Sequence, residues 1–178
     1  MPQRTATPMY PDCHFVARAL RSGGLTKPEL LAELRSSGIE MNEAGRALFS
    51  HEGFTTSAMS AVYSSVEITV QQGLTLCPLE LGPHFRLQYL DQPEGHAGNL
   101  PSQHQAPPGS VTVVSARIIQ EAGVPQGFYL RRINGVLWLR GYHSGLDHVW
   151  SPHDHLFFTV APLLPPCHPT SAKSCHAS

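Results

Sequence analysis

The sequence predicts an α+β protein in which short N-terminal helices pack on an antiparallel sheet curled into a roll or open barrel. Apolar residues recur at helical spacing early in the chain, and apolar and polar residues alternate later. An Asn-Gly pair joins two alternating runs within residues 127–142, which indicates a β-hairpin. We expect a flexible leader at 1–11, a helical segment at 12–57, an antiparallel β domain at 58–162 with a long loop at 92–109, and a disordered tail at 163–178.

The composition is that of a folded protein with little net charge. The chain has 178 residues, of which 41% are hydrophobic, and its formal net charge is −1. This apolar content suffices for a packed core, whereas a general binder of polyanions would normally carry a marked basic excess. The sequence contains no apolar run long enough to span a bilayer and no apolar secretory signal at its N-terminus. We therefore expect a cytoplasmic protein with no membrane partner.

Two helices are predicted before residue 38. Residues 13–21 carry apolar side chains at helical spacing, with Asp12 as a candidate N-cap. The second helix has a stronger start, because the Thr26 hydroxyl and the Glu29 carboxylate form a capping-box pattern. Gly38 is typical of the residue that follows a helix C-terminus.

A third helix is predicted from an Asn42 cap through Phe49. Three short helices joined by glycine-containing turns are also typical of helix-turn-helix DNA-binding modules. Between Asp12 and Glu52, however, five basic residues accompany six acidic ones, so the segment lacks the positive charge that binds phosphate. DNA binding through these helices is an alternative that the charge disfavours, without excluding nucleic acid as a partner.

Six strands are predicted beyond residue 58. Apolar and polar residues alternate at 66–70, at 85–89 and in the hairpin, and turn residues separate the predicted strands without an intervening helical pattern. Residues 72–83 are apolar but contain two prolines and two glycines, so we expect an irregular, buried connection there. The predicted strands are residues 66–70, 85–89 and 111–119, the two strands of the hairpin at 127–142, and residues 155–161.

The hairpin turn determines which side chains share a face. A two-residue turn at Asn134 and Gly135 pairs Arg131 with Trp138 and Tyr129 with Arg140. The opposite face is the predicted core face, and it carries Phe128, Leu130, Leu137 and Leu139. We call the other face the arginine-aromatic face; its candidate ligand-binding residues are Tyr129, Arg131, Trp138 and Arg140. Guanidinium groups and rings in this pattern can stack on each other, on bases or sugars, or bind a partner's carboxylates.

A second group of candidate ligand-binding residues follows residue 83. If residues 85–89 form a strand, His84, Arg86 and Gln88 share one strand face, with Asp91 and Glu94 just beyond the strand end. A histidine, an arginine and two carboxylates at a sheet end could bind an anionic ligand or exchange protons. The alternative, which the spacing favours, is a polar edge strand followed by a turn.

The histidines near the C-terminal end form a candidate metal site. The predicted ligands are His143, His148, His153 and His155, with Asp147 or Asp154 as a further ligand or orienting group. Imidazole suits zinc, nickel or iron. The four cysteines, Cys13, Cys77, Cys167 and Cys175, are too scattered for a disulfide framework or a tight zinc knuckle. We expect no cofactor, and zinc is the alternative.

Several phrases resemble those of a family of small bacterial proteins of unknown activity. They occur in the same order between residues 30 and 158: LFSHEGFTTS at 48–57, LCPLELGPHFRLQYLDQPEG at 76–95, GFYLRRINGVLWLRGY at 127–142 and HVWSPHDHLFF at 148–158. Family members have a further helical stretch before the LCPLELGP phrase, and this chain does not. The resemblance implies a fold unit, a bacterial source and a shortened connection near Cys77, but no substrate.

The sequence therefore favours a binding role over an enzyme. Phosphate-binding glycine loops, paired cysteines, nucleophile elbows and the HExxH zinc motif do not occur. We expect an accessory protein that presents the arginine-aromatic face to a protein or a small anionic ligand. A metal-dependent hydrolase or lyase that uses the C-terminal histidines, and DNA binding through the helices, are the alternatives.

Overall fold

The computed structural model describes residues 19–64, 74–95, 106–119, 121, 123–145, 148–151 and 154–160. These residues form a mixed α+β structure, as the sequence predicts. Their three helices are α1 (Lys27–Ser36), α2 (Glu43–Ser50) and α3 (Leu81–Gln88). None of the described helices combines the length and the apolar character that crossing a bilayer requires.

Nine strands accompany these helices in the described part of the chain. They are β1 (Ala19–Ser22), β2 (Glu40–Met41), β3 (Ala61–Ser64), β4 (Leu74–Thr75), β5 (Val111–Val113), β6 (Gly127–Ile133), β7 (Val136–Tyr142), β8 (His155–Phe157) and β9 (Thr159–Val160). The main sheet has five strands in the order β2-β7-β6-β5-β8, and β1-β3 and β4-β9 form separate two-stranded sheets. The described strands do not close into a barrel, and a roll stays a prediction.

The main sheet is mixed, so the prediction of an antiparallel sheet is wrong in part. β5, β6 and β7 pair antiparallel, but β2 runs parallel to β7 and β8 runs parallel to β5. Each parallel pair joins segments far apart in sequence, which alternation alone cannot reveal. The strand predicted at 111–119 ends at Val113, and the strand predicted at 155–161 is divided between two sheets.

The hairpin of β6 and β7 forms with the predicted register. Arg131 pairs with Trp138, and Tyr129 pairs with Arg140. Asn134 and Gly135 have φ angles of 51° and 77°, the positive values that a type I′ turn requires at both central positions. Phe128, Leu130 and Leu139 are fully buried on the opposite face, which is therefore the core face, as predicted.

α1 and α2 also form where the sequence predicts them. The Glu29 carboxylate accepts hydrogen bonds from the Thr26 amide and hydroxyl at 2.8 and 2.6 Å, which completes the capping box. The Asn42 side chain caps α2 by accepting a hydrogen bond from Gly45 N at 2.8 Å. Between the two helices, the predicted extended link is the edge strand β2 rather than a tight helix-to-helix turn.

Two predicted elements are wrong in type. Residues 19–21, predicted as the end of a helix, belong to β1 (Ala19–Ser22), which pairs with the distant strand β3 (Ala61–Ser64). The rest of that predicted helix, and the strand predicted at 66–70, lie outside the described residues. Residues 85–88, predicted as a strand, belong to α3. Pro83 does not prevent this helix, because it lies in the first turn, where backbone N–H groups have no partner within the helix.

α2 and α3 both contact the core face of the hairpin. A Cβ at Gly82 of α3 would lie 2.8 Å from the Phe128 ring, so the absence of a side chain there allows the close approach. A Cβ at Gly141 of β7 would lie 2.5 Å from the Ala44 carbonyl carbon of α2. Gly141 shares a face with Leu139, so α2 lies on the same side of the sheet as α3.

Asn42 joins α2 to β7 as well as capping it. Its Oδ1 also accepts a hydrogen bond from Gly141 N at 2.8 Å, and its Nδ2 donates to Gly141 O at 3.1 Å. We expect Asn42→Ala to lower the free energy of unfolding by about 2 kcal/mol, because it removes the cap and leaves the Gly141 amide group unpaired.

Urea denaturation measures this effect. Asn42→Asp is the comparison variant. Its carboxylate keeps the acceptor for both amides, but it replaces the donor to Gly141 O with a charged acceptor, and it should cost less than Asn42→Ala. Equal losses in the two variants would contradict the role of the Asn42 acceptor.

Candidate functional site

The predicted site at His84, Arg86 and Gln88 does not exist as a shared strand face. These residues lie on α3, so His84 and Gln88 point along one side of the helix and Arg86 points elsewhere. His84 and Gln88 bind the backbone of β1 and the turn after it. His84 Nε2 accepts a hydrogen bond from Gly23 N at 3.1 Å, and the Gln88 amide pairs with both backbone groups of Arg21.

Glu80 extends the same side of α3 by one turn. Its two carboxylate oxygens accept hydrogen bonds from Ser57 N at 2.8 Å and from Ser57 Oγ at 2.5 Å. Ser57 O in turn accepts from Gly24 N. Glu80, His84 and Gln88 thus attach two backbone segments to α3.

Arg86 is completely buried beneath α3. Its guanidinium donates to the Gln92 side-chain carbonyl and to Tyr89 O. Gln92 is also buried and donates to Leu130 O at 3.1 Å and to Gly109 O at 3.0 Å. Burial lowers the pKa of Arg86 to about 10. Because it has no access to solvent, Arg86 serves as an internal link between α3 and β6.

The two predicted carboxylates also separate. Glu94 accepts a hydrogen bond from Gly135 N at 3.1 Å and forms an ion pair with Arg132 at 3.6 Å, so it supports the hairpin turn. Asp91 is exposed at the end of α3, and its charge raises the pKa of Arg86. The predicted ligand site is therefore a set of structural contacts.

Arg140 contacts both aromatic rings of the arginine-aromatic face. Its Nε donates a hydrogen bond to the Tyr129 hydroxyl at 2.7 Å. Its guanidinium carbon lies 5.2 Å from the centre of the Trp138 ring and 5.9 Å from that of Tyr129, within the range of cation–π attraction. Arg140 and both rings are half-buried. Among the described residues, its terminal nitrogens have no hydrogen-bond acceptor.

Arg131 differs from Arg140 although both lie on the same face. Its Nε atom is buried, and a Cβ added at Gly95 would lie 3.0 Å from that atom. The segment that carries Glu94 and Gly95 therefore packs against Arg131. Trp138 and Arg140 are therefore the residues of the arginine-aromatic face that remain most accessible.

No described helix covers the arginine-aromatic face, because α2 and α3 lie on the opposite side of the hairpin. Among the described residues, the segment at Glu94 and Gly95 covers this face at Arg131, and a second segment covers the end nearest Tyr142. There the chain leaves β7 and returns, so that the Trp150 ring meets the Tyr142 ring edge to face, with 5.6 Å between the ring centres. The ring centres of His148 and Trp150 are 4.6 Å apart.

The returning segment encloses a small aromatic cleft against the sheet. Its volume is about 120 Å³. Tyr129 lines this cleft and also orients Arg140, so the cleft and the arginine-aromatic face adjoin. The lining residues are Ala106, Pro107, Thr112, Tyr129, Tyr142, His143, Ser144, His148 and Trp150.

The predicted metal ligands do not come together in the described structure. His143 follows β7 directly and lines the aromatic cleft together with His148, whereas His155 is exposed on β8. Among the described residues, no three histidine, cysteine or acidic side chains gather closely enough to hold a metal ion. His153, Asp147, Cys13, Cys167 and Cys175 lie outside the described residues. A zinc site that uses them stays a prediction.

Asp154 and Cys77 have structural roles. The Asp154 carboxylate accepts hydrogen bonds from Ala106 N at 2.8 Å and Ser151 N at 3.0 Å, so it connects two segments that border the cleft. Cys77 is buried, and burial raises the pKa of its thiol to about 12, which makes it a poor nucleophile.

The cleft was not predicted from the sequence. Its walls come from separate segments. Tyr129 was among the predicted ligand-binding residues, and His143 and His148 were among the predicted metal ligands. The signal that could have identified it is the spacing between Tyr142 and Trp150, which allows one short loop to bring two rings into contact. Gln92 and Glu80 were also missed, because buried polar residues carry no periodic signal.

Comparisons with protein-family models, with curated proteins and with solved structures found no match. The resemblance to a family of small bacterial proteins therefore stays a prediction.

The hydrogen bond from Gly23 to His84 gives a prediction about pH. Burial lowers the pKa of His84, while the Glu80 charge raises it by a smaller amount. The unfolded state therefore binds the proton more readily than the folded state. We expect the free energy of unfolding to be unaffected by His84 above about pH 6.5, and to decrease as the pH falls from there through the folded-state pKa, by at most about 1.4 kcal/mol per pH unit.

Urea denaturation between pH 8 and pH 5 measures this slope. In His84→Gln the slope should be shallower than in the wild type. His155→Gln, the same replacement at an exposed position, should keep the wild-type slope. Identical slopes in His84→Gln and the wild type would contradict the assignment.

Proposed function

We propose that this chain is a binding protein whose arginine-aromatic face holds a carboxylate or phosphate group of a protein partner or a small ligand. The observation that carries the proposal is the state of Arg140. Tyr129 and Trp138 orient its guanidinium, and its terminal nitrogens have no acceptor among the described residues.

The physical argument rests on preorganisation. A flexible arginine loses rotational freedom when it binds an anion, and this loss weakens binding. Arg140 has lost much of that freedom already, because one hydrogen bond and two rings hold it. Its planar fork can still donate two parallel hydrogen bonds to a carboxylate or phosphate.

The surroundings support an anion rather than a cation. Arg131 lies on the same face, and Glu94, the nearest carboxylate to the hairpin turn, is engaged by Arg132 and Gly135. Glu40 is an exposed acidic neighbour, opposite Trp138 on the parallel strand β2. Its negative charge opposes anion binding. Removal of this charge should therefore strengthen the binding of an anion.

An NMR titration with sodium acetate and with inorganic phosphate, at constant ionic strength, tests the proposal. We expect saturable shifts of the Arg140 Nε–H and Trp138 indole N–H signals. Arg140→Gln should weaken binding by about tenfold or more, since a charge-assisted hydrogen bond contributes about 1.5–3 kcal/mol.

Two further variants separate a specific site from general attraction. Arg140→Lys keeps the charge but loses the planar fork, so it should bind more weakly than the wild type. Glu40→Gln should bind about two- to fivefold more tightly, because it removes a nearby like charge. Shifts that are the same in Arg140→Gln and the wild type would overturn the proposal.

A further inference from the structure

We propose that the aromatic cleft beside Arg140 binds the ring of a small aromatic carboxylate, whose carboxylate group is held by Arg140. This inference rests on the proposed function and names the ligand class of that site. The expected ligand is a free, single-ring compound rather than a protein side chain.

The cleft is preformed by contacts that do not need a ligand. A Cβ at Gly127 would lie 2.8 Å from the Tyr142 hydroxyl, so the Tyr142 ring lies directly over this glycine. Trp150 then meets the Tyr142 ring edge to face. Burial raises the pKa of Tyr142 to about 12, so its hydroxyl stays neutral.

The two borders of the cleft are also fixed to the rest of the structure. Asp154 accepts hydrogen bonds from Ala106 on one border and from Ser151, next to Trp150, on the other. The Ser144 and Gln126 side chains bond each other where the chain leaves β7. A wall held at both ends costs little to order when a ligand enters.

The size of the cleft limits its occupant to one ring. Its volume of about 120 Å³ is well below the 300–1,000 Å³ or so of sites for drug-sized ligands. An engineered cavity of about 150 Å³ holds a benzene molecule. The lining is mostly apolar and aromatic, which suits a flat ring that stacks edge to face.

The charges around the cleft determine which ring compound fits. Arg140 bonds the hydroxyl of Tyr129, a residue that lines the cleft, and Arg117 donates to Gly145 O in the returning segment. Asp154 borders the cleft through Ala106, and two backbone amides already engage its carboxylate. Among the described residues, the terminal nitrogens of Arg140 have no acceptor, so an anionic substituent on the ring is favoured over a cationic one.

An NMR titration with sodium benzoate, sodium acetate and benzyl alcohol tests the inference. The chain has two tryptophans, and their indole N–H signals report separately on the face, through Trp138, and on the cleft, through Trp150. We expect benzoate to shift both signals and to bind at least tenfold more tightly than acetate or benzyl alcohol. Acetate should shift Trp138 alone, and benzyl alcohol should shift Trp150 alone.

Ala106→Leu is the decisive variant, because its added carbons occupy the cleft from the border. It should weaken benzoate at least tenfold and leave acetate unchanged. Ala32→Leu makes the same replacement at an exposed position of α1 and should leave both ligands unchanged. Arg140→Gln should reduce benzoate to the affinity of benzyl alcohol.

The outcomes separate this inference from the proposed function. If acetate and benzoate bind equally and both shift only Trp138, the aromatic ligand is overturned and the anion site of the proposed function remains. Benzoate binding that survives Ala106→Leu also overturns the inference. If no anion shifts the Arg140 Nε–H signal, the proposed function fails, and the inference fails with it.

Discussion

The register of the β6–β7 hairpin is the constraint on which both the core and the candidate site depend. Asn134 and Gly135 allow only one pairing of the two strands, and a slip by one residue would exchange the two faces. Such a slip would expose Leu130 and Leu139 and would bury Arg140 beneath α2. The apolar core therefore enforces the arrangement that orients the arginine-aromatic face.

Elements with local signals could be predicted from the sequence. The hairpin, α1 and α2 each begin or turn at residues whose side chains or φ angles determine the local conformation. α3 could not be predicted, because Phe85, Leu87 and Tyr89 alternate as well as a strand does, while Gly82 and Pro83 are typical of loops. The helix forms because tertiary contacts favour it, with Gly82 against Phe128 and Arg86 linked to Gln92. β1 and the parallel pairs of the main sheet depend on distant partners and have no local signal.

Arg86 and Arg140 illustrate why sequence could identify only half of the candidate site. Both lie in alternating runs beside aromatic residues, and both were predicted to bind a ligand. Burial separates them, because the Arg86 guanidinium bonds Gln92 and Tyr89 O under a helix, while Arg140 has rings as its main neighbours. The hairpin register alone predicts which face carries Arg140. The burial of each arginine, however, depends on the positions of α2 and α3, and the close contacts at the glycines 82, 45 and 141 determine those positions.

The location of the cleft follows from the same arrangement. α2 contacts β7 at Gly141 on the core face, so the chain after Tyr142 has the opposite face available for its return. There Trp150 contacts Tyr142 and covers that end of the face, while Gly95 packs against Arg131 nearer the turn. Arg140 lies where the covered part meets the uncovered part, with Tyr129 shared between them. A ligand at this boundary can place an apolar ring under cover and leave its charged group near water, which avoids the desolvation cost of burying both.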